Sequence, residues 1–561
     1  MKKLLFLFVF LVVVSGFAFG QVELVPVKHP VYDFLKRADL NGWIEGYNSA
    51  ILPISRSKVG EYLKEVDSGL RRNDRNFSSV DRKLLNDYMV EFGYDITGDL
   101  KKSTGVLQGG NILDNDKQRY FYQYADSNTS FFWDVMGWLS QRNSDGDSIG
   151  VNAIGLGEFG MRFRGTLFNS VGFYLRLSNG QKFLGENKDV DFARITNPKW
   201  NANHKMRSES GSFDTYEGYL RYATKNEWLA LTVGKEQMLS GYGYTDKMFL
   251  SDNSVPLSFV RLDLKYKKLQ YFFMYGSLRG DSVGREINSK YVVMHRVNVN
   301  LFEQWKIGFF ESLTISDRPF NFSFLNPVSF IRSADYSAGD VQSDLNNAMI
   351  GFDMEVKPFK KLAWQGTMLI DDLDFGSLFS NKRNGKPANS NRFGWQTGVI
   401  WTDAFYVPNL TAALEYSRLN PFIYTHRTNK AQYSHWTLPL GLQLAPNSDE
   451  IALKFNYDIT HRLNFQLKYQ HQRHGEGFVY NGDTLKVNYG GTLNRGDLDI
   501  VVDNTFLQGN RIDRDLVTAR ILWQPLRQIY FEGNLVWQFH NLLYANRKLR
   551  DLYWWFTVSV N

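Results

Sequence analysis

Nine residues in the long polar segments of this chain have the chemistry to hold a sugar. They are Tyr242 and Tyr244; Phe320, Phe322, Phe324 and Tyr336; and Tyr424, His426 and Trp436. An aromatic face is a flat apolar platform for the C–H face of a sugar, and Arg, Asn or Asp beside it binds hydroxyls or carboxylates. The same rings can instead pack loops onto one another or form a belt at a membrane interface.

A second set carries charge of both signs: Glu158, Arg162, Arg164, Glu217, Arg221, Arg296, Lys454, Asp458, Lys468, Arg520 and Glu532. Each falls on the polar face of an alternating segment. Charges withdrawn from bulk water must be paired or remain wet, so this set reads as a network lining a lumen, with a conduit for solute as the alternative.

Other constellations point to less. His471-Gln472-Arg473-His474 with Glu476 has metal-ligating residue types, but on a strand residues three apart face opposite sides. Asp371-Asp372-Leu373-Asp374 and Asp145-Gly146-Asp147 offer oxygen ligands for Ca²⁺, and Asp-Gly equally makes a turn. Gly155-Leu156-Gly157-Glu158-Phe159-Gly160 matches a dinucleotide fingerprint without the strand–helix context that fingerprint requires. A Ser nucleophile needs a base and an orienting group within reach, and no spacing among nine His singles out such a set. With no Cys, thiolate metal sites, Cys nucleophiles and disulfides are all excluded. No catalytic residues and no cofactor are expected.

What positions these residues is a run of alternating segments. In Ile451–Asp458, Ile451, Leu453, Phe455 and Tyr457 share one face against Ala452, Lys454, Asn456 and Asp458. In Leu463–Gln470 the apolar set is Leu463, Phe465, Leu467 and Tyr469. Period-two alternation is the mark of a strand, and a barrel wall meets lipid on its apolar face and the lumen on its polar face. From Ser130 onward about eighteen such strands can be counted, an even number as in single-chain bacterial barrels. Short connections (Lys225-Asn226-Glu227, Lys267-Lys268, Phe302-Glu303) alternate with long ones (179–214, 237–257, 316–346, 419–448 and 473–512). A soluble sandwich also alternates but gives no reason for that asymmetry. The expected fold is mainly β, a transmembrane antiparallel barrel over 119–561.

The first residues read as a secretory signal, 1–20. Lys2 and Lys3 precede the apolar run Leu4–Val14, and small residues stand near Gly20. Residues 21–118 form a different unit, a small helical domain with a linker. Helices are expected over Val31–Arg37, over Lys58–Val66 capped by Ser55 or Ser57, and over Ser79–Phe92, where Ser78 and Asp81 make a capping box and Gly93 ends the helix. Beyond the signal no apolar run approaches the ~20 residues of a membrane helix, so any spanning must be by closed barrel. A formal charge of +7 over 561 residues argues against a nucleic-acid binder. Aromatics at 16% suit membrane interfaces and sugar surfaces alike.

Several stretches resemble the capsule assembly Wzi family. These are His29-Pro30-Val31-Tyr32-Asp33-Phe34-Leu35, Ile51-Leu52-Pro53-Ile54-Ser55-Arg56, Ser79-Val80-Asp81-Arg82, Glu311-Ser312-Leu313-Thr314, Leu325-Asn326-Pro327 and Asn420-Pro421-Phe422-Ile423-Tyr424-Thr425-His426-Arg427. The resemblance is one of order and texture over most of the chain. It implies an outer-membrane barrel of eighteen strands with a periplasmic helical bundle, acting as a lectin that holds capsular polysaccharide at the cell surface; separately, a monomer is expected. One departure is the end, where Asn561 stands in place of the aromatic that closes many outer-membrane barrels. The alternative functions are a porin or transporter for a solute or oligosaccharide, and a hydrolase at the rim. Whether loops and helices obstruct the bore separates the first of these from the lectin.

Overall fold

The computed structural model describes residues 21–561, apart from 72–76, 112, 203–205, 207–210, 284–285, 330, 332–345, 373–381, 384–385, 388–390, 427–429, 482–483, 494–500 and 503–504. Eighteen antiparallel strands close a barrel. They are β1 (Ser130–Gly146), β2 (Asn152–Leu167), β3 (Val171–Leu184), β4 (Ser212–Ala223), β5 (Leu229–Glu236), β6 (Leu257–Tyr266), β7 (Leu269–Val283), β8 (Glu286–Asn300), β9 (Trp305–Ser316), β10 (Asn347–Phe359), β11 (Leu362–Asp372), β12 (Arg392–Thr402), β13 (Leu410–Leu419), β14 (Ser448–Thr460), β15 (Leu463–Glu476), β16 (Asn510–Leu526), β17 (Ile529–Leu542) and β18 (Arg547–Val560). Ten pairs, Gly137↔Val560 to Gly146↔Asp551, join β18 to β1 and close the ring. A short strand, Tyr122–Ala125, adds to the start of β1.

Alternation sets the two faces. Leu139, Phe159, Leu177, Leu220, Val233, Leu414 and Leu535 are exposed on the outside, the apolar band a barrel turns to lipid. The hairpins at one end are tight, and Asn226, Lys267 and Gln528 take positive φ there, as two- to three-residue turns require. The other end carries the long connections. Along β6–β11 the inner face departs from the expected polar pattern: Phe259, Phe272, Met274, Met294, Phe310, Met349 and Leu369 point inward and are buried. They pack against Met248, Phe249 and Leu250 of the β5–β6 loop and Tyr424, Tyr433 and Leu442 of the β13–β14 loop. Both loops fold into the bore, so this third of the wall meets protein on its inner side rather than water.

At the short-turn end lie the helices α1 (Val31–Asn41), α2 (Arg56–Arg71), α3 (Ser79–Glu91) and α4 (Gly93–Thr97). The Ser78–Asp81 capping box starts α3 and the Ser55 hydroxyl accepts from Lys58 N at 3.2 Å inside the start of α2. Gly93, expected to end α3, instead opens α4, because Phe92 closes α3 and the chain turns straight into another short helix. Their shared core includes Val31, Leu35, Trp43, Val59, Leu63 and Phe92.

This unit is bolted into the barrel. Asp39 accepts from Lys306 at 2.7 Å and Lys357 at 2.9 Å; Glu23 accepts from Arg164 at 2.8 Å; Lys36 pairs with Glu355. Leu40 packs against Ala363, Ile400 and Ala413 of the wall. Ile51-Leu52 pairs with Leu239-Ser240 of the inward β5–β6 loop, so the two fillings of the bore meet within it.

Candidate functional site

Inside the long-loop end, against β3–β7, lies a cavity of about 960 Å³, within the size range of small-molecule sites. One wall is made by the β3–β4 loop. It folds as helix α5 (Asn187–Thr196), which buries Val190, Phe192 and Ala193 against Ile154 and Leu156 of β2 and Phe213 of β4. That packing sets Trp200 beside Phe213 (ring centroids 6.2 Å apart), and Phe213 in turn stacks on Trp138 at 5.7 Å and 17°. The Arg142 guanidinium lies 4.7 Å from the Trp200 ring. Across the cavity, Arg279 sits 4.8 Å from the Trp436 ring. Aromatic faces with guanidinium groups held against them can bind a sugar ring and its carboxylate together.

Charges complete the lining. Arg176 pairs with Glu158 at 3.0 Å, while Lys28 and Lys199 reach Asp252 at 3.8 and 3.9 Å. Burial, reinforced by Lys28 nearby, pushes the Lys199 ammonium down to about 8 against the pull of Asp252 and Asp246. The His435 imidazole, at the cavity wall, is held down at about 3 by burial and by the charges of Lys290, Lys235 and Arg279. Its Nδ1 accepts from the Arg279 backbone N–H at 2.8 Å, so that nitrogen is committed to the fold.

The wall itself is notched at this point. β5 pairs with β4 over only six positions, Gly218↔Lys235 to Ala223↔Ala230, because β5 ends at Glu236. Ser212–Glu217 of β4 therefore find strand partners on β3 alone. The cavity reaches this notch, where Tyr216 and Lys235 stand at its outer lip with the ammonium 3.8 Å from the ring centre.

The aromatics expected to bind sugar are scattered. Trp436 alone among those described lines the cavity. Tyr242 is 1% exposed: its hydroxyl bonds Asn48 at 3.2 Å, its N–H donates to Asp353, and the Arg296 guanidinium lies 5.6 Å from its ring. Tyr424 is fully buried and donates to the Met248 carbonyl at 2.6 Å. Neither can offer a face to a glycan, because both loops turn inward. Tyr244 is half-buried and its hydroxyl bonds Glu355 at 3.2 Å beside Lys36.

Phe320, Phe322 and Phe324 lie on the outer surface of the wall, away from the bore. Phe324 is buried with Phe273, Val293 and Leu313, and Phe320 meets Tyr275 edge-on at 4.9 Å; Phe322 remains 78% exposed. The physical reason is a polar group in the apolar strip, which lipid cannot satisfy. Glu311 accepts there from Ile331 N at 3.0 Å, and Tyr271 donates to the Pro327 carbonyl. His426 is half-buried at the end of the described part of its loop, and Tyr336 lies outside the described residues.

The charged set is distributed around the inner wall. Arg162 pairs with Asp134 at 2.8 Å, Arg221 with Glu227 at 3.1 Å and Arg520 with Glu532 at 2.7 Å. Arg296 and Asp353, both fully buried, make a fork of 2.6 and 2.9 Å. Asp458 takes Arg37 of α1 at 3.4 Å. Glu217 stands opposite Arg176 in the register, Lys454 lines a cavity beside α1, and Lys468 lines a small polar pocket with Asp246 and Glu450. His471 bonds Asp515 at 2.9 Å and His474 bonds Ser448 at 2.7 Å on opposite faces of β15. Asp371 accepts from Tyr424 N at 2.7 Å, and Asp147 holds Arg550 N in the β1–β2 turn.

Trp200, Phe213, Arg176, Lys199 and Arg279 gather at the cavity without having been singled out together in the sequence. The available signal was weak: two Trp, Trp200 and Trp436, in long loops otherwise poor in that residue.

A closed eighteen-strand wall with an apolar outer band, long loops at one end and a helical unit at the other defines an integral outer-membrane barrel. The chain belongs to the capsule assembly protein Wzi family, whose model matches residues 157–504. Among solved structures it is similar to Wzi of Escherichia coli, an outer membrane protein involved in group 1 capsule assembly and a carbohydrate-binding β-barrel. That likeness has 12% identity, a TM-score of 0.55, and coverage of 96% of this chain and 99% of that one. OprD of Pseudomonas aeruginosa matches at 10% identity over 76% of this chain and 95% of its own, with a TM-score of 0.42. OccK2 of the same organism, solved with glucuronate, matches at 10% over 76% and 98%, with a TM-score of 0.40. No curated protein matches the chain.

Proposed function

We propose that this protein binds a capsular or related surface polysaccharide non-covalently in the long-loop cavity and so helps hold or assemble it at the cell surface. In this reading the long loops face outward and the helical unit faces the periplasm. The observation that carries it is the cavity of about 960 Å³ lined by Trp200, Phe213 and Trp436 with Arg176 and Arg279 beside them, while Trp138 and Arg142 pack against Phe213 and Trp200. An extended polymer suits such a site, since its repeats engage several weak subsites whose effects compound. The notch between β4 and β5 supports this too, because a chain far longer than the cavity needs a way past the rim.

The role is binding rather than catalysis. His435, the imidazole at the cavity wall, is neutral and bonded to backbone, which leaves it poorly placed to move a proton. The filled bore supports retention over free conduction of solute. The test is affinity of the purified protein for its own strain's polysaccharide, with capsule retention on cells. Trp200→Ala with Trp436→Ala is expected to weaken binding at least tenfold and release capsule while the barrel still folds. Unchanged affinity in that variant removes the cavity from the account, and no binding by the wild type removes the lectin.

A further inference from the structure

At the opposite end of the barrel a separate cavity of about 640 Å³ lies between the helical unit and the inner wall. Its floor is Arg221 of β4 and Arg261 of β6, 4% and 3% exposed, which share the carboxylate of Asp263. Its roof is the start of α2, where Ser57 donates to Glu227 at 2.6 Å and Lys58 is neutralised by Glu61 at 2.5 Å. Both guanidiniums keep a buried N–H with no acceptor in the protein among the described residues: Nε of Arg221 and Nη1 of Arg261. A buried donor without an acceptor is costly, more so when charged.

The charge balance points the same way. On the wall side, Arg221, Lys225, Arg261 and Lys265 face only Asp263 and Glu227. Two positive charges are left over beside an open volume of small-molecule size. A guanidinium fork with a free N–H, next to surplus positive charge, is the preferred receptor for a planar or tetrahedral oxyanion.

We propose that this cavity is a binding site for a small oxyanion-bearing molecule that enters from the short-turn end, a sugar carboxylate or a phosphorylated headgroup. The ligand's anionic oxygens meet the Arg221 and Arg261 guanidiniums and offset Lys225 and Lys265, and its body lies against Ser57 and Tyr62 of α2. The site closes only when the helical unit is docked, because that unit, α2 included, supplies about half of its wall. It stands apart from the long-loop cavity and does not depend on polysaccharide binding there.

The experiment is calorimetric titration of the full-length protein in detergent with glucuronate, with inorganic phosphate and with glucose. Glucuronate or phosphate is expected to bind with 1:1 stoichiometry and glucose not to bind. Arg261→Gln is expected to weaken the anion at least tenfold, Arg261→Lys to restore it only in part because the fork is lost, and Lys265→Gln to weaken it severalfold. Trp200→Ala should leave it unchanged. Preference for glucuronate identifies a sugar acid and preference for phosphate a headgroup; either supports the site. If Arg261→Gln does not fold, Lys265→Gln, at a half-buried rim position, carries the test. Absence of binding by both anions, or affinity unchanged in Lys265→Gln and Arg261→Lys alike, overturns the proposal.

Discussion

Replacing Asp39 by Asn should loosen α1 from the barrel by about two orders of magnitude. The Asp39 carboxylate is 1% exposed and is the common acceptor of Lys306 and Lys357, at 2.7 and 2.9 Å. Removing one partner of a buried ion pair costs about 3–5 kcal/mol, because the remaining charge stays desolvated. Two features place this case at the lower end. Lys306 keeps Glu355 at 3.4 Å, and the Lys357 side chain is 15% exposed and can reach water. A loss of about 3 kcal/mol raises the undocked population roughly a hundredfold, at 1.4 kcal/mol per factor of ten.

Hydrogen exchange of the α1 amides in the purified protein reads this population directly, provided reclosing outpaces exchange. Exchange in α1 should accelerate about a hundredfold in Asp39→Asn, with the β16–β18 amides unchanged. Asp33→Asn is the control. Asp33 is exposed and meets Asn456 only at 3.5 Å, so its loss should be nearly silent. Adding Lys306→Met to Asp39→Asn should recover part of the loss, since the stranded ammonium is then gone. In planar bilayers the wild type should conduct little and Asp39→Asn should show transient openings. Unaltered α1 exchange in Asp39→Asn would refute the view that this ion cluster holds the helical unit in the bore.

Three further outcomes are expected. Anionic polysaccharide should bind the long-loop cavity more weakly as pH rises through about 8, because Lys199, depressed to that value by burial, loses its charge there; Lys199→Arg should abolish that inflection. The same depression means the folded state binds fewer protons than the unfolded one between about 8 and the ordinary lysine value, so this residue's contribution to stability rises with pH across that window. Tyr424→Ala should destabilise the protein by about 3–5 kcal/mol, as large core truncations do, and lower folded yield, whereas Trp436→Ala should leave heat-modifiable mobility unchanged. Leu535→Arg on the outer face should cost about 2–4 kcal/mol near the bilayer midplane, with Gln466→Arg on the inner face much milder; equal loss at both would contradict the register.

The wall was legible in the sequence because its signals are local. Ile451–Asp458 and Leu463–Gln470 alternate within themselves, Lys267-Lys268 and Asn226 mark turns, and Ser78 with Asp81 caps a helix three residues away. Each is read within a window of about ten residues, so strand count, hairpin pairing and the asymmetry of the loops followed from the chain alone. Which way a long loop turns is not local. Tyr242 and Tyr424 have the composition of exposed platforms, but their partners Asn48 and Met248 lie 194 and 176 residues away. Lys306, which helps hold α1 in the bore, is 267 residues from Asp39. The early end of β5 opened the notch, and the meeting of Arg221 with Arg261 built the second cavity. Only packing decides these, because burial of a side chain depends on what long-range contact brings over it, and one aromatic residue serves equally as a plug or as a platform.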